Sequence, residues 1–130
     1  GLVNGGSVDY LTTNYLYGPG GPALSCSSGA VATSGRQFVH GFELYFEKAT
    51  LSHSSGGVPL TVFTPDGKSE QPTLGDGDPI TSFATEIQTA VDAVKSGQMP
   101  ALLSGQLARD ALVLCFKEIE SVKSGAVVAV

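Results

Sequence analysis

The two histidines are the first residues whose chemistry could support a function. Histidine is the usual acid or base at neutral pH, and His40 stands between Phe38 and Phe42 in a stretch that alternates in polarity. No Ser, Cys or Asp lies at a spacing that suggests catalysis, so a structural histidine is the favoured interpretation. His53 adjoins a serine-rich turn and is interpreted as an exposed loop residue. Two histidines so far apart in sequence, without further ligands, do not predict a metal site.

The acidic residues offer little more chemistry. Glu43 and Glu47 fall on one face of a predicted strand, but a four-residue separation along a strand places them about 13 Å apart, too far for direct cooperation. Solvated or interface charges are the favoured interpretation. The phrase Asp76-Gly77-Asp78 is superficially similar to a calcium loop but lacks the other ligands, and a helix cap accounts for Asp78. No catalytic, cofactor-binding or metal residue is therefore assigned.

The glycine clusters and the charge exclude several other classes of function. Neither Gly5-Gly6 nor Gly18–Gly21 matches GxGxxG or GxxxxGK[ST], and neither lies between a predicted strand and a predicted helix, so no phosphate-binding loop is expected. The net charge of −5 and the scattered basic residues argue against a nucleic-acid surface. No apolar run approaches the ~20 residues of a membrane helix. Cys26 and Cys115 show no CxxC spacing, and we expect a reduced, cytoplasmic protein.

The first part of the chain carries strand patterns. Strands are predicted over residues 7–17 and 23–33, the second with a bulge at Gly29. A strand over residues 38–50 is predicted to bury one face and leave the other open. The predicted core face consists of Phe38, His40, Phe42, Leu44 and Phe46, and the open face includes Val39, Glu43, Tyr45 and Glu47. A hairpin with strands at 51–53 and 58–64 follows.

The last part of the chain carries two helix patterns with marked ends. Asp78-Pro79 opens the first helix and Gly97 ends it, while Ser104 opens the second and Gly125 ends it. Apolar residues recur at helical spacing in both helices. The run from Ala126 to Val130 is apolar and predicts a final strand. With 130 residues, the chain predicts a single domain of the α+β class, a two-layer sandwich of a largely antiparallel sheet with two helices packed on one face.

The order of phrases in the carboxyl half resembles the carboxyl-terminal domain of the Gfo/Idh/MocA family of nicotinamide-dependent oxidoreductases. Residues 41–51 are followed by an F-x-x-E-I-x-x-x-V-x-A-V-x-x-G phrase and an A-x-x-A-L-x-x-x-x-x-x-x-E-S-x-x-x-G phrase. The first phrase comprises Phe83, Glu86, Ile87, Val91, Ala93, Val94 and Gly97, and the second Ala108, Ala111, Leu112, Glu120, Ser121 and Gly125. The resemblance covers about two thirds of the chain, and most of these positions are packing and capping residues.

The resemblance implies a domain of an enzyme whose chemistry lies elsewhere. The family binds NAD or NADP on an amino-terminal Rossmann domain and acts on a sugar, cyclitol or related hydroxy compound. Its E-K-P and D-x-x-x-H phrases have no counterpart in this chain, so no catalytic residue is transferred and the chain alone is expected to be inactive. By analogy, the open sheet face with Glu43, Tyr45 and Glu47 is expected to form a substrate-pocket wall and a homo-oligomer interface.

Two hypotheses of different classes follow. The first is a substrate and oligomerisation domain of a larger NAD(P)-dependent dehydrogenase, which predicts an upstream cofactor domain of roughly 120–200 residues with a GxGxxG turn. The second is a stand-alone α+β module without catalysis, which binds a small ligand or dimerises through the open sheet face. A ligand bound stoichiometrically to a chain with no upstream cofactor domain would favour the second.

Overall fold

The computed structural model describes residues 2–75 and 78–130. The chain divides into two compact units, Gly1–Ser34 with Thr89–Val130, and Gly35–Gln88. The strands of the described residues are β1 (Leu2–Asn4), β2 (Ser7–Tyr15), β3 (Leu24–Gly29), β4 (Gly41–Phe46), β5 (Ala49–Ser54), β6 (Val58–Phe63) and β7 (Ser69–Glu70). The helices are α1 (Pro79–Ser96), a 3-10 turn (Ala101–Leu103) and α2 (Gly105–Ser124).

The first unit contains an antiparallel sheet of three strands in the order β1-β2-β3. The pairing of β2 with β3 runs without a break from Tyr10 opposite Gly29 to Tyr15 opposite Leu24, so the bulge predicted at Gly29 is wrong. Gly29 is instead required by close approach, because a Cβ there would lie 2.8 Å from the carbonyl oxygen of Asp9.

Helix α2 belongs to the first unit and lies against β2. Both of its ends match the sequence prediction. The Ser104 hydroxyl accepts a hydrogen bond from the Leu107 amide at 3.1 Å. Gly125 adopts φ 68° and donates its amide to the Ser121 carbonyl. These local signals define the helix because each one satisfies a backbone group that the helix end leaves without a partner.

The face of α2 that is least exposed differs from the predicted apolar stripe. Ile119 and Val122 of that stripe are half-buried, but Leu107, Leu112 and Phe116 are exposed. The other half-buried positions of α2 are Val113, Leu114, Lys117, Glu118 and Ser121. Part of the apolar surface of α2 is therefore exposed to solvent.

The second unit contains an antiparallel sheet of four strands in the order β4-β5-β6-β7. The strand predicted over residues 38–50 is wrong in its length, because the chain reverses at Glu47-Lys48 and returns as β5. A turn at 55–57 joins the two strands of the predicted hairpin, and another turn follows β6 at Pro65-Asp66-Gly67. A two-residue reversal without glycine or proline carries no strong turn signal, which is why the sequence did not predict it.

A register shift interrupts the pairing of β5 with β6. Ser52 lies opposite Thr61 and Ser54 opposite Val58, so that β6 has one residue more than β5 between these pairs. Pro59 lies in this irregular segment. Proline has no amide hydrogen for a central sheet ladder, and a bulge is where such a strand can accept it. His53, which lies between Ser52 and Ser54, therefore faces both Pro59 and Leu60 and has no single partner residue in β6.

The pairing divides the side chains of this sheet into two faces, because residues directly opposite one another project to the same side. The apolar face carries Phe42, Leu44, Phe46, Ala49, Leu51, His53, Leu60 and Val62. The hydroxyl face carries Glu43, Tyr45, Thr50, Ser52, Thr61 and Phe63.

The predicted core face of β4 is not buried. Phe42, Leu44 and Phe46 are 44%, 39% and 62% exposed, and Phe38 and His40 are also exposed. Among the described residues of the chain, only Leu11 and Thr61 are buried. The prediction assumed that alternation alone indicates burial, but alternation shows only which residues share a face.

Helix α1 begins as predicted at Asp78-Pro79, where the Asp78 carboxylate accepts a hydrogen bond from the Ile80 amide at 2.9 Å. It ends at Gly97, with φ 69°. Residues 79–88 belong to the second unit and residues 89–96 to the first. Its predicted apolar stripe is exposed, and Asp76 and Gly77 of the calcium-like phrase lie outside the described residues.

The α+β class and the antiparallel pairing are confirmed. The strands form two sheets, where the sequence predicted one. The predicted final strand is wrong, because residues 126–130 are irregular. Within the described ranges, no helix has the length and apolar character needed to cross a membrane.

Candidate functional site

The hydroxyl face of the second unit contains two of the three residues predicted to form a pocket wall or interface. Tyr45 is 74% exposed, and the neighbouring Glu43 side chain raises the pKa of Tyr45 above its ordinary value. Thr50 lies opposite Tyr45 and Ser52 opposite Glu43. One surface therefore combines an aromatic ring, a carboxylate acceptor and two aliphatic hydroxyls.

The third predicted residue, Glu47, does not lie on this strand face. It occupies the turn between β4 and β5 together with Lys48. The predicted alternation from Glu43 to Glu47 assumed a strand that continues to Thr50, and the reversal ends that alternation. Glu43 and Tyr45 are thus brought together by the sheet, and Glu47 is placed at its margin.

The two histidines, which the sequence treated separately, come together at the start of this sheet. The ring centroids of His40 and His53 are 5.8 Å apart. Phe38 contacts His40 at a centroid distance of 5.8 Å, and Phe42 contacts His53 at 5.7 Å. The four rings form a row, which we call the histidine row.

Each histidine of the row has a defined backbone position. His40 exchanges two hydrogen bonds of 2.9 Å with Ser55, from its amide to the Ser55 hydroxyl and from the Ser55 amide to its carbonyl. These bonds extend the β4 and β5 pairing by one residue. His53 is a strand residue opposite Phe42, so its interpretation as a loop residue is wrong.

The first unit contains a polar contact that the sequence analysis missed. The Tyr15 hydroxyl of β2 donates a hydrogen bond to the Glu118 carboxylate of α2. This bond, with a contribution from desolvation, raises the pKa of Tyr15 well above its ordinary value. Two residues 103 positions apart have no local signature, and only the packing of helix on sheet brings them together. Cys26 and Cys115 are exposed free thiols.

An open cavity of about 390 Å³ adjoins this contact in the first unit. It is formed by the end of β2 and the following segment into β3, and its lining is mostly apolar. The lining residues are Asn14, Tyr15, Leu16, Tyr17, Pro22, Ala23, Leu24 and Ser25. No titratable pair suited to acid and base chemistry lines it, so it can contribute contact area but supplies no evident reaction.

The described residues contain no cluster of three or more His, Cys, Asp or Glu side chains arranged to hold a metal ion. The Gly5-Gly6 turn joins β1 to β2, and the cluster Gly18–Gly21 lies between β2 and β3. Neither joins a strand to a helix N-terminus, which a dinucleotide pyrophosphate requires.

The chain matches no protein-family model, and it matches neither a curated protein nor a solved structure. The residues of the hydroxyl face, the histidine row and the Tyr15 contact are therefore the basis for functional inference.

Proposed function

We propose that this chain is the substrate-side and subunit-interface domain of a larger NAD(P)-dependent oxidoreductase of the Gfo/Idh/MocA kind. The substrate is a sugar, a cyclitol or a related hydroxy compound. The cofactor, NAD or NADP, belongs to a Rossmann domain outside this chain. In the part of the chain that the structure describes, the Gly5-Gly6 and Gly18–Gly21 clusters each join two strands and do not precede a helix. The chain contributes binding surface, and the reacting groups come from the rest of the enzyme.

The composition of the hydroxyl face is the observation that best supports this proposal. Glu43 accepts hydrogen bonds, while Thr50 and Ser52 both donate and accept them. The exposed ring of Tyr45 offers a flat apolar surface to the C–H groups of a sugar ring. A polyhydroxy compound needs this combination of hydrogen-bonding groups around an aromatic contact.

The exposure of the apolar face also supports a role within a larger assembly. Phe42, Leu44 and Phe46 lie on one side of β4 and are substantially exposed. Contiguous apolar surface of this kind is characteristic of interfaces. A domain that packs against a cofactor domain and a second subunit would bury such surface.

The test is to identify the coding sequence upstream of Gly1 and to express the full reading frame. We expect a Rossmann domain with a GxGxxG turn, and we expect dehydrogenase activity with NAD⁺ or NADP⁺ on a panel of sugars and cyclitols. In that enzyme, Glu43→Gln and Tyr45→Ala should raise KM more than they lower kcat, because they remove a hydrogen-bond acceptor and the aromatic contact. Glu70→Gln, on the other face of the sheet, is the matched control and should leave both unchanged.

Two results would refute the proposal. One is a natural reading frame without an upstream cofactor domain. The other is tight binding of NADH to the isolated chain in a fluorescence titration, which would place the cofactor site within these residues.

A further inference from the structure

The geometry of the histidine row suggests a ligand. When two imidazoles bind one ion at metal–nitrogen distances of about 2.0–2.1 Å, their ring centroids lie roughly 5–6 Å apart. His40 and His53 have a centroid separation of 5.8 Å with their planes inclined at 59°. This separation is within the range at which one nitrogen of each ring can bind the same ion.

The hydrogen bond of His53 defines which of its nitrogens is available. Its Nδ1 lies 3.1 Å from the carbonyl oxygen of Val58. A carbonyl can only accept, so Nδ1 carries the hydrogen and Nε2 carries the free lone pair of the neutral ring. A metal-binding histidine usually has this arrangement, in which its second nitrogen donates to a backbone carbonyl, a carboxylate or a water.

The surrounding structure restrains the His53 ring and the backbone of His40. Phe38 and Phe42 flank the pair, and the two hydrogen bonds to Ser55 fix the backbone of His40. The register shift at Pro59 brings the Val58 carbonyl to the His53 ring. The pair is exposed at His40, so solvent can reach an ion there.

We propose that His40 and His53 form a two-histidine site for a divalent transition metal that favours imidazole, such as Zn²⁺ or Cu²⁺. His53 binds through Nε2, and His40 supplies one ring nitrogen. Water completes the coordination, because the described residues contain no group of three or more His, Cys, Asp or Glu side chains that could hold the ion. The proposal is independent of the dehydrogenase assignment.

The first test is a calorimetric titration of the untagged chain with ZnCl₂. The protein should carry Cys26→Ser and Cys115→Ser, so that the two thiols cannot bind the ion. We expect one Zn²⁺ per chain, and at least a tenfold loss of affinity in each of His40→Gln and His53→Gln. Unchanged affinity in the double histidine variant would overturn the proposal.

A second measurement on the same thiol-free chain with both histidines intact covers the case in which a histidine variant fails to fold. Nitrogen NMR of the imidazoles should show Nε2 of His53 and one nitrogen of His40 shifting together on addition of one equivalent of Zn²⁺. Nδ1 of His53 should remain protonated. If neither ring responds, or if only one does, the two-histidine site is refuted.

Discussion

At the level of single residues, the Tyr15 and Glu118 contact is the clearest tertiary interaction in the chain. It joins β2 to α2 within the first unit and is half-buried, and among the described residues of that unit only Leu11 is buried. A hydrogen bond from a phenol to a charged carboxylate in a half-buried place contributes more than a bond between two neutral groups in water. Removal of this hydrogen bond should therefore lower the free energy of unfolding measurably.

We predict that Tyr15→Phe lowers the free energy of unfolding by about 1.5–2 kcal/mol, the low end of the range for a hydrogen bond to a charged group, because both residues are only half-buried. The ring is retained, so the loss reports the hydroxyl alone. Urea denaturation measures it. Tyr17→Phe is the matched control, because Tyr17 is exposed two residues further on, and it should change stability by less than ~0.5 kcal/mol. If both substitutions lowered the free energy of unfolding equally, the stabilising role of the Tyr15 hydroxyl would be contradicted.

The same contact should make stability depend on pH in the alkaline range. The folded-state pKa of Tyr15 is raised above the ordinary value of 10.0. Its contribution is thus fully present below the unfolded pKa and is lost as the pH rises through the folded one. We predict that the stability difference between wild type and Tyr15→Phe is constant from about pH 7 to 9 and shrinks above about pH 10. A difference that grows above this pH would have the wrong sign.

A residue on the hydroxyl face offers a spectroscopic test. The neighbouring Glu43 side chain raises the pKa of Tyr45. Glu43→Gln removes the negative charge that opposes ionisation of the phenol, so the pKa of Tyr45 should fall toward its ordinary value. NMR titration of the Tyr45 ring measures this change.

At the level of elements, the sequence predicted what local chemistry determines. The helix ends at Asp78, Gly97, Ser104 and Gly125 are all found, because a cap is formed by residues within one turn of the helix. The strand predicted at residues 126–130 is not found, since an apolar run becomes a strand only where a neighbouring strand can pair with it.

The candidate sites were likewise predicted where they depend on neighbouring residues in the sequence, and missed where they depend on pairing between strands. Alternation correctly placed Glu43 and Tyr45 on one face of β4. It could not place Glu47, because the reversal at Glu47-Lys48 lacks a turn signature. The histidine row depends on the register of β4 with β5. Register is set by pairing across the turn rather than by spacing along one strand.

Gly105 at the start of α2 and Gly125 just after its end allow a matched test of the C-terminal cap. Neither Gly105 nor Gly125 has an atom within 4 Å of an added Cβ, and only Gly125 has a positive φ, of 68°. We predict that Gly125→Ala destabilises the chain by about 1 kcal/mol, whereas Gly105→Ala is neutral or stabilises it by about 0.4–1 kcal/mol. Thermal or urea unfolding measures both. Destabilisation by both to the same extent would indicate that φ is not the cause.

At the level of the whole molecule, the two units leave much apolar side-chain area in contact with water. Exposed large side chains occur on both helices and on both faces of the sheet that contains β4. Burial of apolar area contributes about 25 cal/mol per Å². Association that covers such surface is therefore favoured.

We predict that the isolated chain self-associates at high micromolar concentration through the sheet of the second unit. Tyr45→Glu should shift the equilibrium toward monomer, because it introduces a charge into the exposed face. Lys68→Glu changes an exposed turn residue and is the matched control. Sedimentation velocity over a concentration series measures the equilibrium. A monomer at every concentration would exclude this interface.

The position of β4 at the margin of its sheet has a consequence for solubility. The order β4-β5-β6-β7 makes β4 an edge strand within its unit, and its sequence GFELYF has one charged residue, Glu43. An exposed edge with aromatic side chains and no proline can act as a template for further strands, and charge on such an edge opposes fibril growth. We therefore expect Glu43 to oppose aggregation through this edge. The carboxylate would favour colloidal stability whether or not a substrate contacts it.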